Sequence, residues 1–345
     1  MNIENTVSLR VDKSALPVIR HIDADWTRKD FMGSVKVRAG FGRDNYKVNS
    51  GLYAFGKPDA DSDILVTANY KLTFDVVRRN LKGLNVWLLV LDTRGVNVWC
   101  AAGKGTFGTA ELIKRITETN LSQMVNHRRL IVPQLGAVGV AAHKIKESTD
   151  FHVVYGPVRA EDIKPFIRAN YKATETMRTM YFPIKERIKL APAELKLNYK
   201  LLLFGIILLT GLSGIEGLKF NLAKLVHDFW GVSMLLILAY LSGTFLTPAL
   251  LPWLPFRNFS AKGAFAGFFS WVVVAMLWRF KADLDALSWF LLFVSLSSYI
   301  GMNFTGASTY TSLSGVKKEM KYALPLQIVI GIAGLGLFLV SNLLS

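Results

Sequence analysis

The chain of 345 residues carries a formal charge of +16, is 51% hydrophobic and contains a single cysteine. One cysteine excludes an intramolecular disulfide, a four-cysteine iron-sulfur cluster and a cysteine-rich zinc site, so any electron transfer must involve a second protein. Residues 1–200 hold 32 Lys and Arg against 20 Asp and Glu, whereas residues 201–345 hold 9 against 5; no basic run is interleaved with aromatics, which sets nucleic acid aside and leaves membrane-side positive charge as the reading.

In chain order, the opening MNIENTVSLRVDKS lacks the charged start and apolar run of a secretory signal, so the first domain is expected to stay in the cytoplasm. Short β-rich runs then alternate with helical patterns, which predicts an α/β domain with a largely parallel sheet over residues 1–190. SDILVTANY reads as a strand leading into the helix KLTFDVVRRNL, and NVWLLVL (85–91) as a buried strand. RLIVPQ (129–134) and FHVVYG (151–156) read as two more, with helical AVGVAAHKIKES between them; VRAEDIKPFIRANY has helical spacing interrupted at Pro165.

Residues 191–200 read as a juxtamembrane linker and 201–345 as an all-α transmembrane domain. Its five apolar segments, about 200–215, 226–250, 264–280, 286–308 and 323–344, approach the roughly 20 residues a bilayer requires. One set of flanks carries Lys185, Arg187, Lys189, Lys196, Lys200, Arg257, Lys262, Lys317, Lys318 and Lys321; the other carries Lys219, Lys224, Arg279 and Lys281. Positive charge is retained inside, which predicts a multi-pass cytoplasmic-membrane protein with the N-terminal domain inside and the C-terminus outside. The Gly and Ser content suits helix packing and anchoring in membrane lipid better than an ion pathway.

GKGTFG (103–108) satisfies G-x-G-x-x-G, but the acidic residue a dinucleotide site needs is missing, because the next strand ends in Gln134. A phosphate-binding P-loop is excluded, since seven residues separate Gly95 from Gly103 and Gly105 follows Lys104. DFHVVYG is one residue longer than the D-x-H-x-x-G of cobalamin proteins with a histidine ligand, and one residue reverses a strand face, so His152 reads as structural. His227, beside Asp228 near a helix start, reads as an interfacial anchor. Cys100 opens the helical WCAAGK, where the dipole and Lys104 favour thiolate over thiol. Thiolates ligate soft metals or act as nucleophiles, and no histidine stands in a motif to complete a hydrolytic dyad. A single thiolate suits a cofactor that brings its own equatorial ligands and needs one axial donor.

NVWCAAGK (Asn97–Lys104) resembles the cap-helix motif of the mercury-methylating corrinoid proteins, whose corrinoid domain is related to that of the corrinoid iron-sulfur proteins of the acetyl-CoA pathway. The resemblance extends to GLYAFGKPDADSDILVTANYKLTFD, VPQLGAVGVAAHK, FHVVYGPVRAEDI and the five-span tail. It implies a Rossmann-like domain binding a cobalamin-type corrinoid, with Cys100 as lower axial ligand of cobalt and catalytic residue. Asn97, Val98, Trp99, Ala101, Ala102, Gly103 and Lys104 would shape the helix beneath the corrin face, Asn97 as hydrogen-bonding partner and Thr67 in the same pocket. The resemblance also implies methyl transfer from cobalt to Hg(II), a methyl-folate or its methyltransferase as donor, and a ferredoxin-like iron-sulfur protein as electron donor. Two other readings stay open: a corrinoid methyl carrier of one-carbon metabolism with a different acceptor, and a membrane transport or scaffold protein with a nucleotide-binding domain.

Overall fold

The computed structural model describes residues 18–304 and 313–344; the opening stretch, residues 305–308 of the fourth expected span and the start of the loop after it lie outside the described residues. The chain divides into two compact units, Met1–Val37 with Gly42–Met180, and Arg38–Phe41 with Tyr181–Ser345.

The first unit runs β1 (Arg20–Ile22), α1 (Arg28–Arg38), β2 (Gly51–Phe55), β3 (Ile64–Ala68), α2 (Lys71–Asn80), β4 (Val86–Leu91), α3 (Val98–Gly103), α4 (Thr109–Glu118), α5 (Leu121–Met124), β5 (Arg129–Val132), α6 (Ala142–Thr149), β6 (His152–Tyr155), α7 (Ile163–Arg168) and α8 (Glu175–Arg178). Its six strands lie in the order β1-β2-β4-β3-β5-β6, and every neighbouring pair is parallel except β2 with β4. Successive strand residues face opposite sides, so β3 and β4, buried throughout, feed two cores. Ile64, Val66, Ala68, Leu89 and Leu91 pack with Val98, Ala101, Ala102, Phe107, Leu112 and Ile145 from α3, α4, α6 and the loop after α3. Leu65, Leu88 and Val90 pack on the other face with Phe74 of α2 and Phe166 of α7. Full burial of a side chain such as Phe107 contributes about 2–3 kcal/mol, and strands so covered read as unbroken apolar runs.

Two helical expectations change in extent. AVGVAAHKIKES is helical from Ala142, because Gln134–Gly136 is a 3-10 turn and the following residues form a loop. Pro165 does not interrupt its helix: it is the third residue of α7, in the first turn, where its missing N–H removes no helical hydrogen bond.

The second unit holds α9 (Ile184–Ile188), α10 (Ala191–Ser213), the short hairpin of β7 (Ile215–Glu216) and β8 (Lys219–Phe220), α11 (Leu222–Leu241), α12 (Thr247–Leu250), α13 (Phe259–Trp278), α14 (Leu284–Asn303) and α15 (Leu313–Leu344). A π-helical turn, Ser242–Leu246, joins α11 to α12. Among the described residues five helices are long and apolar enough to cross a membrane: Ile184–Ser213, Leu222–Leu250, Phe259–Trp278, Leu284–Asn303 and Gly315–Leu344. Residues 191–200, read as linker, form the first turns of α10, and the last helix begins well before residue 323. Charged residues at these helix feet lower the local hydropathy without ending the helix, since Lys, Arg and Glu are good helix formers. Gly263 of α13 meets α14 so closely that a Cβ there would lie 2.6 Å from the Ser297 carbonyl oxygen, while Ser297 Oγ donates to the Gly263 oxygen at 2.8 Å. Small residues and hydroxyls are how helices associate without a hydrophobic driving force.

Candidate functional site

Helices on the two faces follow β3 and β5 in opposite directions: β3 leads through α2 to β4 on one side, and β5 through α6 to β6 on the other. In open α/β sheets the crevice beyond the carboxyl ends of such diverging strands is where ligands bind. Asn69 and Tyr70 follow β3 there, and Pro133 and Gln134 follow β5. The Gln134 Oε1 atom is buried and has no hydrogen-bond partner among the described residues.

The segment carrying Cys100 leaves the same edge from β4. A turn with positive φ at Arg94 (58°) and Gly95 (75°) reverses the chain, closed by the Val96 N–H on the Thr93 oxygen at 3.2 Å. Gly95 is required twice, for its φ and because a Cβ would lie 3.3 Å from the Asp44 oxygen. Asn69 holds the turn from the end of β3. Its Oδ1 accepts from the Thr93 N–H at 3.1 Å and the Gly95 N–H at 3.0 Å, and its Nδ2 donates to Asp92 Oδ1 at 2.9 Å. Asn69 is 3% exposed and was not singled out by sequence, although a polar residue directly after the apolar ILVTA was the available signal.

Asn97 is the N-cap of α3, and its Oδ1 accepts the Cys100 backbone N–H at 2.9 Å. Val98, Ala101 and Ala102 turn into the core, so Trp99 (37% exposed), half-buried Cys100 and exposed Gly103 form the outer side of α3. A Cβ added at Gly103 would meet nothing within 4 Å. Lys104 is the exposed C-cap at the other end of α3 from Asn97 and makes no side-chain hydrogen bond or ion pair among the described residues, so the structure does not bring its ammonium to the thiol. With six residues α3 also has a short dipole; the N–H of Cys100 is taken by Asn97.

Thr67 is not brought to α3. Strand alternation puts it with Leu65 on the α2 face, whereas α3 covers the face of Val66 and Ala68; its hydroxyl is buried without a partner among the described residues. His152 is the exposed first residue of β6, at the sheet edge opposite to α3. His227 is exposed in α11, its Nδ1 3.0 Å from Asp228 Oδ1.

The glycines of GKGTFG have other work than phosphate binding. Gly103 ends α3 and Gly105 and Gly108 follow it, so none comes directly off a strand and the dinucleotide geometry fails as well as its acidic partner. Gly105 takes φ +80°, and a Cβ at Gly108 would lie 2.8 Å from the Gly105 oxygen. The loop after β5 closes on them: a Cβ at Gly139 would lie 2.2 Å from the Phe107 oxygen and 3.2 Å from Ala102 Cα, and one at Gly136 would lie 2.4 Å from the Phe107 ring. The result is a half-buried thiol on a capped short helix, the helix packed against the turn after β5 at the carboxyl edge of the sheet. A half-exposed tryptophan and a side-chain-free glycine flank the thiol, and this suits a large planar ligand.

Residues 29–167, which include α3 and β2 through β6, match the family described as the CO dehydrogenase/acetyl-CoA synthase delta subunit. The chain is 34% identical over 131 residues to the acetyl-CoA decarbonylase/synthase complex subunit gamma of Archaeoglobus fulgidus, covering 37% of this chain and 27% of that protein. It is 34% identical over 128 residues to the subunit of the same description in Methanopyrus kandleri, covering 36% and 27%. To the corrinoid/iron-sulfur protein large subunit of Moorella thermoacetica it is 31% identical over 126 residues, covering 36% and 28%. The chain thus spans about a quarter of the length of the curated relatives it matches. The family match lies in the α/β unit, and one of the relatives is described as a corrinoid/iron-sulfur protein.

Proposed function

We propose that this chain is a membrane-anchored, corrinoid-dependent methyltransferase whose Rossmann-like domain binds a cobalamin-type corrinoid and passes a methyl group to Hg(II). The observation that carries the reading is the placement of the only thiol of the chain, Cys100, on the outer side of α3 beside the crevice between β3 and β5, within residues 29–167 that match the CO dehydrogenase/acetyl-CoA synthase delta subunit family. The residues fit the group. Cys100 offers one soft donor, Gly103 leaves space, Trp99 offers an aromatic side chain, and the buried Gln134 Oε1 awaits a donor.

When bound, a corrinoid would supply the cobalt that carries the methyl group, and Cys100 would hold it through a strongly donating sulfur, which would suit delivery to a soft electrophile such as Hg(II). The chain's own residues would do the holding. Asn97 fixes the first turn of α3, Val98, Ala101 and Ala102 seat it on the sheet, and Asn69 fixes the turn that presents it. Lys104, which makes no side-chain hydrogen bond or ion pair among the described residues, would be placed to meet an anionic group of the ligand. A ferredoxin-like iron-sulfur protein would supply electrons and a methyl-folate, or its methyltransferase, the methyl group. The five apolar helices would anchor the chain in the cytoplasmic membrane, N-terminal domain inside and C-terminus outside.

The test is anaerobic purification of the full chain and reconstitution with cobalamin. The expected result is a thiolate-ligated spectrum that Cys100→Ala abolishes, together with methylmercury formation from Hg(II); an unchanged spectrum in the variant removes the axial-ligand assignment. The names of the relatives favour a second reading, a methyl carrier of one-carbon metabolism with another acceptor. Offering the methyl-loaded protein Hg(II) and other acceptors in parallel separates the two by relative rate.

A further inference from the structure

Helix α1 faces the wrong way for a surface helix, which ordinarily turns its large apolar side chains to the core. Its inner side is made of small or paired groups: Ser34 and Val37 are buried, Gly33 leaves room for the Tyr46 hydroxyl, and Asp30 is held by Lys71 Nζ at 2.7 Å and Arg78 Nη2 at 2.8 Å. The bulky groups point outward, with Phe31 56%, Met32 63% and Val35 46% exposed. At 100° per residue the exposed positions form one arc in the order Phe31, Val35, Arg28, Met32, Lys36, Lys29, so the apolar groups are interleaved with cations. From residue 28 to 43 the cations are Arg28, Lys29, Lys36, Arg38 and Arg43, and the one acid, Asp30, is neutralised inside. Asp25 and Asp44 lie beyond the two ends of that stretch.

We propose that this arc of α1 lies on the surface of an anionic bilayer, with Phe31, Met32 and Val35 entering the boundary between headgroups and acyl chains and Arg28, Lys29 and Lys36 meeting lipid phosphates. The inference rests on reading the five apolar helices as a membrane anchor. Chain continuity selects the bilayer over an acidic protein as the occupant. Arg38–Phe41, which end and directly follow α1, belong to the second unit. There Lys196 Nζ donates to the Gly40 oxygen at 2.6 Å and lies 3.9 Å from the Phe41 ring centroid. Lys196 is in the charged foot of the candidate span Ile184–Ser213, so α1 is tethered within a few residues of that foot. Phe41, 51% exposed, adds a fourth apolar group to the same stretch.

The experiment uses the full chain in a Cys100→Ser background, spin-labelled at Met32→Cys or, as a second variant, Val35→Cys, in vesicles of phosphatidylglycerol or of phosphatidylcholine. Lys114→Cys on α4 serves as the aqueous reference and Ile207→Cys on α10 as the hydrocarbon reference. The expected result in phosphatidylglycerol is collision with a water-soluble nickel chelate at least fivefold weaker at 32 and 35 than at 114, with protection falling at least twofold in phosphatidylcholine. Equal accessibility at 32, 35 and 114 in both lipids overturns the proposal while a shielded 207 keeps the membrane anchor. An aqueous signal at 207 overturns both. Protection that appears only when an acidic ferredoxin is added overturns the bilayer assignment in favour of a protein partner.

Discussion

Asn97 Oδ1 lies 2.9 Å from the backbone nitrogen of Cys100, so the residue that starts α3 also fixes the residue that carries its thiol. Asn97→Ala removes that cap and is expected to cost about 1 kcal/mol, with fraying of α3 confined to its first turn. Asn97→Asp keeps an acceptor and is expected to recover the stability. Urea denaturation of both variants, beside the corrinoid spectrum of the reconstituted chain, checks this: the Ala variant should broaden the spectrum and the Asp variant restore it.

Asn69 is the larger stake. Asn69→Ala strips partners from the buried Thr93 and Gly95 N–H groups and from Asp92 at once. Each buried group left unsatisfied costs about 1–3 kcal/mol, so a loss of roughly 3 kcal/mol is expected in urea denaturation. Asn69→Asp keeps the acceptor but not the donor to Asp92, and should fall between.

Two glycines near the thiol should behave in opposite ways. Gly139→Ala places a Cβ against the Phe107 oxygen and Ala102, and overpacking of this kind costs about 1–3 kcal/mol. Gly103→Ala meets open space at an ordinary backbone angle and should leave stability within about 0.5 kcal/mol of the parent or slightly raise it. If Gly103 faces the corrin, the same variant retains cobalamin at least tenfold less well. Equilibrium dialysis of cobalamin against both variants separates a packing role from a ligand-facing one.

Acid should weaken the α1–α2 contact in a defined range. Burial would raise the Asp30 carboxyl, but hydrogen bonds from Lys71 and Thr27 outweigh it and hold the acid well below the usual carboxylate range. Its folded value lies below its unfolded value of about 4, so its contribution is complete above that pH and is lost as pH falls through the folded value. For Lys71, burial works downward and the bonds to Asp30 and Asp75 work upward and win, so its contribution holds below about pH 10.4 and is lost as pH rises beyond. Asp30→Asn should cost roughly 2 kcal/mol at neutral pH and flatten the acid limb of a stability-against-pH curve measured by urea denaturation.

The strands β3 to β5 were legible because nearly every residue of each is buried, and such segments show as apolar runs that local pattern can detect; β6, partly buried after its exposed His152, showed as the short run VVY. β1 and β2 were not singled out as strands: β2 is the short GLYAF, and its antiparallel pairing with β4 depends on a partner more than thirty residues away. In the membrane-like half, hydropathy located the apolar centres but not the helix ends, since a charged helical foot and a charged linker have the same composition. Around Cys100 the sequence pointed to the helix but not to Asn97 as its N-cap. It could not reveal that Thr67 lies on the other face of the sheet, which follows from register, nor that Asn69 reaches a turn 24 residues later. Pattern reports what a residue's neighbours in sequence require, and these two residues answer to neighbours in space.

The missing side chains at Gly136 and Gly139 let the loop after β5 press on Phe107 and on the backbone of α3 at Ala102. With no room for a Cβ between them, this loop and α3 cannot slide past one another; widening the crevice requires both to shift in one motion. For the corrinoid proposed above, access would then be governed by a cooperative opening rather than by side-chain rotation. Loading should therefore be slow and steeply accelerated by warming, and once seated the ligand should survive prolonged dialysis, as a prosthetic group does and a freely exchanging cosubstrate does not.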